Sequence, residues 1–218
     1  MNFKAEHIVA DIGSGTGLVA ESLFKSFGLK NPIWCVDPSP EMQEVARKRK
    51  GIHPVQKTAE EFFSDPKISQ SFDKVLAIFS AHHFVDPDAV YKGIVRSLRP
   101  GGSFIQVDAL SASHPMFKMA ANTLSAHFKK VSDKEQSLRG LNLQGKMSQE
   151  EYTYPQSVTK SKLYEMFRCR YMSMFYPLSD EQIEEGIKEL ENETLKDVKD
   201  DEYINYNYVV RITKFELE

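Results

Sequence analysis

Asp11-Ile12-Gly13-Ser14-Gly15-Thr16-Gly17 sets one carboxylate beside three alternate glycines. That combination suits a cationic, nucleoside-like ligand. Glycine has no Cβ to hold a ligand off, and it adopts φ > 0 at little steric cost. The apolar run His7-Ile8-Val9-Ala10 comes before it, and the helical pattern Leu18-Val19-Ala20-Glu21-Ser22-Leu23-Phe24 follows. The order is strand, tight turn, helix, the place where α/β sheets bind nucleotides. A dinucleotide fingerprint, G-x-G-x-x-G, would need glycine at position 18, which is leucine. An acid at the strand end repels a pyrophosphate and attracts a cation.

Asp37 is the second candidate. It ends the run Pro32-Ile33-Trp34-Cys35-Val36, 20 residues beyond Gly17. A carboxylate there can accept both hydroxyls of a ribose. The same stretch, Asp37-Pro38-Ser39-Pro40, is also a helix start, with Ser39 as N-cap and Pro40 in the first turn. A third candidate is Ser80-Ala81-His82-His83, at the end of the apolar run Phe72 to Phe79. His82 and His83 titrate near neutrality when unperturbed, so either is a candidate base. Each is equally a pocket-lining or hydrogen-bonded histidine.

The elements that must position these residues alternate. Strands are predicted at 7–10, 32–37, 53–56, 72–79 and 103–108, with helices after each of the first four. Thr58 and Glu61 have capping-box spacing. Arg99-Pro100-Gly101-Gly102 reads as a turn before the fifth strand. The expected fold is α/β: a doubly wound, Rossmann-like, mostly parallel sheet. Beyond residue 110 the pattern changes. Helical spacing runs from Met116 to Phe128, and residues 132–150 read as a polar, irregular, mobile connection. Short helices are expected at 161–167 and from Ser179 to about Leu195. Tyr203 to Phe215 alternates as a terminal strand and is expected to run antiparallel.

The motif D-x-G-x-G-x-G after a first strand resembles the first motif of class I S-adenosylmethionine-dependent methyltransferases. The resemblance implies S-adenosyl-L-methionine as cofactor, with Asp11, Gly13, Ser14, Gly15 and Gly17 under its methionine and ribose part. It implies Asp37 and Pro38 at the ribose and Met42 on the adenine face. Thr58-Ala59-Glu60 resembles the segment bordering the adenine amino group; a plain capping box is the alternative, and the two are compatible. Ser80 and His82 fall at the strand end beside the cofactor. His83-Phe84 is similar to the His-Trp pair of the trans-aconitate-like small-molecule branch, which implies His83 between sulfonium and acceptor, positioning it or acting as base. Leu98-Arg99-Pro100-Gly101-Gly102 resembles the family's turn before the fifth strand.

One methyltransferase domain over 1–218 is expected: a cofactor-binding core at 7–110, a substrate-pocket insertion and C-terminal helices at 111–200, and the terminal strand at 203–215. The pocket insertion mixes Arg168 and Arg170 with Tyr171, Met172, Met174 and Tyr176. An arginine fork there would suit a substrate carboxylate, while the alternation of Met172, Met174 and Tyr176 fits core packing. Family members carry helices before the first motif that cover one sheet face. Here about six residues precede the strand, so an exposed apolar face is expected, which a homodimer would cover.

Composition narrows the partners. The net charge of −3 gives no electrostatic case for nucleic acid or an anionic membrane. No apolar run approaches the ~20 residues of a membrane span. No signal-peptide pattern opens the chain, and the two cysteines, Cys35 and Cys169, have no metal-site spacing. A cytoplasmic enzyme acting on a small-molecule acceptor is the expectation, with carboxyl or hydroxyl methylation favoured. The alternative is a non-catalytic or truncated member of the fold that acts through a partner.

Overall fold

The computed structural model describes residues 2–141 and 144–218. Its strands are β1 (Val9–Ile12), β2 (Ile33–Val36), β3 (Ile52–Val55), β4 (Phe72–Ile78), β5 (Leu98–Ala112), β6 (Gly145–Thr159) and β7 (Tyr203–Leu217). The helices are α1 (Leu18–Ser26), α2 (Pro40–Ala46), α3 (Ala59–Ser64), α4 (Pro87–Ser97), α5 (Lys118–Gly140), α6 (Lys160–Arg168) and α7 (Asp180–Asn192). One seven-stranded sheet runs in the order β3-β2-β1-β4-β5-β7-β6. Its first five strands pair in parallel, and the C-terminal strands are antiparallel. The order reverses between β1 and β4, which opens a ligand crevice at their C-terminal ends.

The chain divides into two compact units. The first comprises Met1–Asp108, Asp133–Glu150 and Arg211–Glu218. Every residue of β1 is buried, as are Val75, Leu76 and Ala77 of β4, because central parallel strands are covered on both faces. Ala10, Ile12, Val36, Val75 and Phe104 pack with Phe62 and Phe63 of α3. The second unit comprises Ala109–Ser132 and Glu151–Val210. Phe117, Phe167 and Phe175 form its aromatic centre, with Ile183, Ile187 and Leu190 from one face of α7.

Several expectations are corrected. Residues 132–150 are not an irregular connection: α5 continues to Gly140 and β6 begins at Gly145. Val131 and Leu138 are buried on that helical extension. β6 is an exposed edge strand, where Pro155 removes no required ladder bond. Arg99 to Gly102 lie inside β5, and Gly101 at φ 72 accompanies a register shift against Phe72 and Lys74. Met172, Met174 and Tyr176 lie in and beside a 3-10 turn over Ser173–Phe175, with Met174 buried in the core and Tyr176 exposed. The sheet face away from Phe62 and Phe63 is not bare. Val9, Ile33, Cys35 and Leu76 alternate away from the Phe62–Phe63 side, and each is at most 1% exposed. α1 contacts β2 and α2 contacts β3, which accounts for cover over those strands.

Candidate active site

The turn after β1 is left-handed at all three glycines, with φ of 69, 54 and 72 at Gly13, Gly15 and Gly17. Two of them do different work. A Cβ on Gly13 would sit 2.4 Å from the Ser80 Cβ, so β4 closes the floor of the turn there. A Cβ on Gly15 would meet nothing within 4 Å, so the backbone at Gly15 faces open space. The Gly13 and Ser14 amides donate to the Val36 carbonyl at 2.7 and 3.1 Å, tying the turn to the end of β2.

Two carboxylates flank the turn. Asp11 is 2% exposed, and no ion pair or side-chain hydrogen bond offsets its charge among the described residues. Burial, with the Asp37 charge adding to it, pushes its carboxyl up to about 7. Asp37 is half-buried. Its Oδ2 accepts the Gly15 amide at 2.9 Å, and its Oδ1 accepts the Ser39 amide at 3.0 Å. Each carboxylate oxygen keeps a lone-pair direction beyond that bond. Pro38 follows in the exposed link to α2. There the Ser39 Oγ accepts the Met42 amide at 3.1 Å, capping the helix as the sequence predicts. Met42 is 37% exposed, so its side chain is available to a ligand face and is not core.

Burial also pushes the Cys35 thiol up to about 12, with the Asp11 charge contributing, so Cys35 is an inert part of the core beneath the turn. The Ser14 hydroxyl lies toward that thiol. A brace that sequence reading missed holds the turn from outside. Arg49 Nε donates to the Thr16 carbonyl at 2.7 Å, and its guanidinium pairs with Glu21 at 2.9 Å. Glu21 also accepts the Lys50 amide and pairs with Lys25 at 2.8 Å. These hydrogen bonds hold its carboxyl at about 2.

Residues 10–106 match a protein-family model described as a methyltransferase domain. The methyltransferase YcgJ of Bacillus subtilis (strain 168), itself uncharacterized, is 36% identical over 128 residues, covering 56% of this chain and 48% of YcgJ. The solved YcgJ structure aligns with 99% of this chain and 94% of its own at a TM-score of 0.56 and 21% identity. Phosphoethanolamine N-methyltransferase 2 of Haemonchus contortus, solved with S-adenosyl-L-methionine, covers 100% of this chain with 50% of its own, at a TM-score of 0.58 and 20% identity. At these identities the structural likeness establishes the fold.

The chain has the class I methyltransferase fold.

The chain spans about half the length of the curated relatives it matches. Within this fold, the end of β4 is strapped to β1: Ser80 Oγ donates to the Ile12 carbonyl at 2.5 Å. Phe79, just before it, takes φ 54, a conformation rare outside glycine, and its amide bonds the Val107 carbonyl at 2.8 Å. Surrounding structure must hold such a conformation in place, and no sequence signal announced it. His82 and His83 form a 3-10 turn with Ala81, their rings 4.0 Å apart. His82 is half-buried and His83 exposed.

The third expected segment is anchored differently. Thr58 and Glu61 do form the reciprocal capping box. Ala59 is buried, and Glu60 Oε1 accepts the amides of Val85 and Asp86 at 2.8 and 3.3 Å. Glu60 therefore pins the segment after the two histidines to α3. These contacts join Asp11, the glycine turn, Asp37 and Ser80 into one crevice wall, while Thr58, Ala59 and Glu60 border the His83–Asp86 loop.

In the second unit the expected arginine fork is already occupied. Arg168 makes a bidentate pair with Glu184 at 2.7 and 3.0 Å, and Arg170 pairs with Asp180 at 2.6 Å. Missed there is a part-buried hydrogen bond between Tyr171 Oη and His114 Nε2 at 2.5 Å, with His114 Nδ1 beside the Pro115 carbonyl at 3.0 Å.

Proposed function

We propose that this chain transfers the methyl group of S-adenosyl-L-methionine to a small-molecule acceptor. One observation carries the reading: a left-handed glycine turn with open space at Gly15 is flanked by a buried, unneutralised Asp11 and by Asp37. The residues fit the cofactor. Asp11 would supply a counter-charge for its α-ammonium group, and Asp37 would offer free lone pairs to its ribose. The complex of the Haemonchus contortus enzyme with S-adenosyl-L-methionine supports that choice of cofactor.

When bound, the cofactor supplies an electrophilic methyl on a sulfonium. The chain has only to align the acceptor and exclude water, and such positioning is worth ~7–11 kcal/mol of a barrier. No protein nucleophile is needed. His83, exposed beside the β4 end, positions the acceptor or takes its proton when the acceptor is a hydroxyl. A carboxylate acceptor needs no base, and the likeness of His83-Phe84 to the trans-aconitate-like branch favours that class. The setting we propose is the cytoplasm.

The test is calorimetric titration of the folded chain with S-adenosyl-L-methionine and S-adenosylhomocysteine. Saturable binding of both is expected, with Asp37→Ala weakening it at least tenfold. A folded chain that binds neither overturns the reading, and an unchanged affinity in Asp37→Ala overturns the ribose assignment.

A further inference from the structure

A groove of about 490 Å³ lies in the first unit, and neither Asp11, Asp37 nor the glycine turn is part of its lining. It opens beside α3 and the starts of β1 and β4. Its apolar lining is Ile8, Trp34, Val55, Phe62, Ile68 and Phe72. Trp34 is only half-buried and meets Phe72 edge-on at 5.8 Å and Phe62 at 6.3 Å. A volume of this size suits a small organic ligand.

The rim is polar and its charge is unbalanced. It carries Lys57, Lys67 and Arg99 against Asp65. Arg99 is answered by Asp73 at 3.2 Å. Asp65 Oδ1 accepts the Lys67 backbone amide at 2.9 Å, so that carboxylate is held at the foot of its turn. Neither the Lys57 nor the Lys67 ammonium is ion-paired among the described residues. Asp65 can balance one of them, which leaves one positive charge over. The rim is also fixed in place. Gln70 stands at φ 47, its amide bonded to the Arg96 carbonyl at 3.0 Å and its carbonyl accepting Arg99 Nε at 3.4 Å.

We propose that this groove is a second binding site and takes an amphipathic monoanion: an apolar body bearing one carboxylate. The body covers Trp34, Phe62 and Phe72, removing apolar surface from water. The carboxylate lies at the rim between the Lys57 and Lys67 ammonium groups, whose flexible stems reach it while their charges stay hydrated.

Trp34 is the single tryptophan of the chain, so its emission reports on this groove alone. The experiment titrates the whole chain with decanoate and with 2-naphthoate, each below its aggregation threshold. Decanol and decyltrimethylammonium serve as head-group controls. A saturable emission change with at least one carboxylate is expected, at least tenfold tighter than decanol, with the ammonium weaker still. The double variant Lys57→Glu/Lys67→Glu should weaken the carboxylate at least tenfold and leave decanol unchanged. If that variant fails to fold, the head-group comparison on the unaltered chain decides. No saturable change with either carboxylate overturns the proposal. So does equal affinity for the three head groups. Competition by saturating S-adenosyl-L-methionine would place the carboxylate in the glycine-turn crevice and overturn it as well.

Discussion

Asp11→Asn should stabilise the ligand-free chain at neutral pH and damage its binding. Asp11 is 2% exposed, and its carboxyl is pushed from an ordinary 3.8 to about 7 by burial and by Asp37. At 1.36 kcal/mol per pK unit, that shift corresponds to about 4 kcal/mol held against the folded state once the group ionises. The sign follows from the raised value. Well below pH 3.8 both folded and unfolded chains hold the proton, and Asp11 costs nothing. As pH climbs toward 7 the unfolded chain releases it first, and folding stability falls by up to about 1.4 kcal/mol per pH unit. Above pH 7 the whole penalty is present.

Asparagine never ionises, so the variant lacks this slope. Its buried amide brings a desolvation cost of its own, about 1–3 kcal/mol. The net gain at pH 8 is then about 1–3 kcal/mol, and at pH 4.5 the variant is no more stable than the parent. The difference between the two proteins should therefore change by about 3 kcal/mol from pH 4.5 to 8. For a chain of this size that is about 6–12 °C in the thermal midpoint. Urea unfolding of both proteins at each pH measures it, and all groups common to both cancel. Binding should move the other way, with S-adenosyl-L-methionine at least tenfold weaker in the variant. A stability difference that stays constant between the two pH values would refute the reasoning about Asp11.

In the parent protein, affinity for S-adenosyl-L-methionine should rise by up to about tenfold per pH unit between 5 and 7 and level off above; a flat profile by calorimetry contradicts this. Gly13→Ala should cost about 2–4 kcal/mol, since its Cβ would lie 2.4 Å from that of Ser80 on a left-handed backbone. Gly15→Ala should cost about 1–2 kcal/mol of strain alone and still abolish cofactor binding, because its methyl enters the ligand's space; thermal melts and titration of both variants separate the two effects. Arg49→Ala, which releases the Thr16 carbonyl and Glu21, should cost about 1–2 kcal/mol and weaken the cofactor several-fold without touching it. An unchanged affinity there would mean that the turn holds its shape unaided.

What was legible in the sequence was local. β1, β2 and β4 could be read because a strand buried on both faces must be apolar along its length. Even so, β1 begins two residues later than expected and takes in Asp11, which pairs with Cys35 and Leu76. A charged residue at a strand end looks like a turn until the ladder is seen. The C-terminal half of α5 and all of β6 were lost for the opposite reason. Beyond residue 128 that helix buries little more than Val131 and Leu138, seven positions apart among polar neighbours. β6 is an edge strand with most of its side chains in water, so its alternation is nearly blank. The caps at Ser39, Thr58 and Ser179 could be read because they act over three residues. Arg49 could not, because its partner Thr16 is 33 positions away.

The candidate site divides in the same way. Residue type gave the sign of the field: acids at two strand ends around glycines select a cation. It did not give the strength, because that depends on how completely water is removed from Asp11. The fold supplies this by burying Asp11 beneath a turn pinned to Val36, Asp37 and Arg49. A carboxylate left in water at that point would attract a sulfonium nucleoside only weakly, since two charges 4 Å apart gain about 1 kcal/mol in bulk water against about 4 kcal/mol near a protein surface. The same desolvation that makes Asp11 unfavourable in the empty fold makes a bound cation favourable beside it. Instability of the free site and affinity of the loaded one are two readings of a single buried charge.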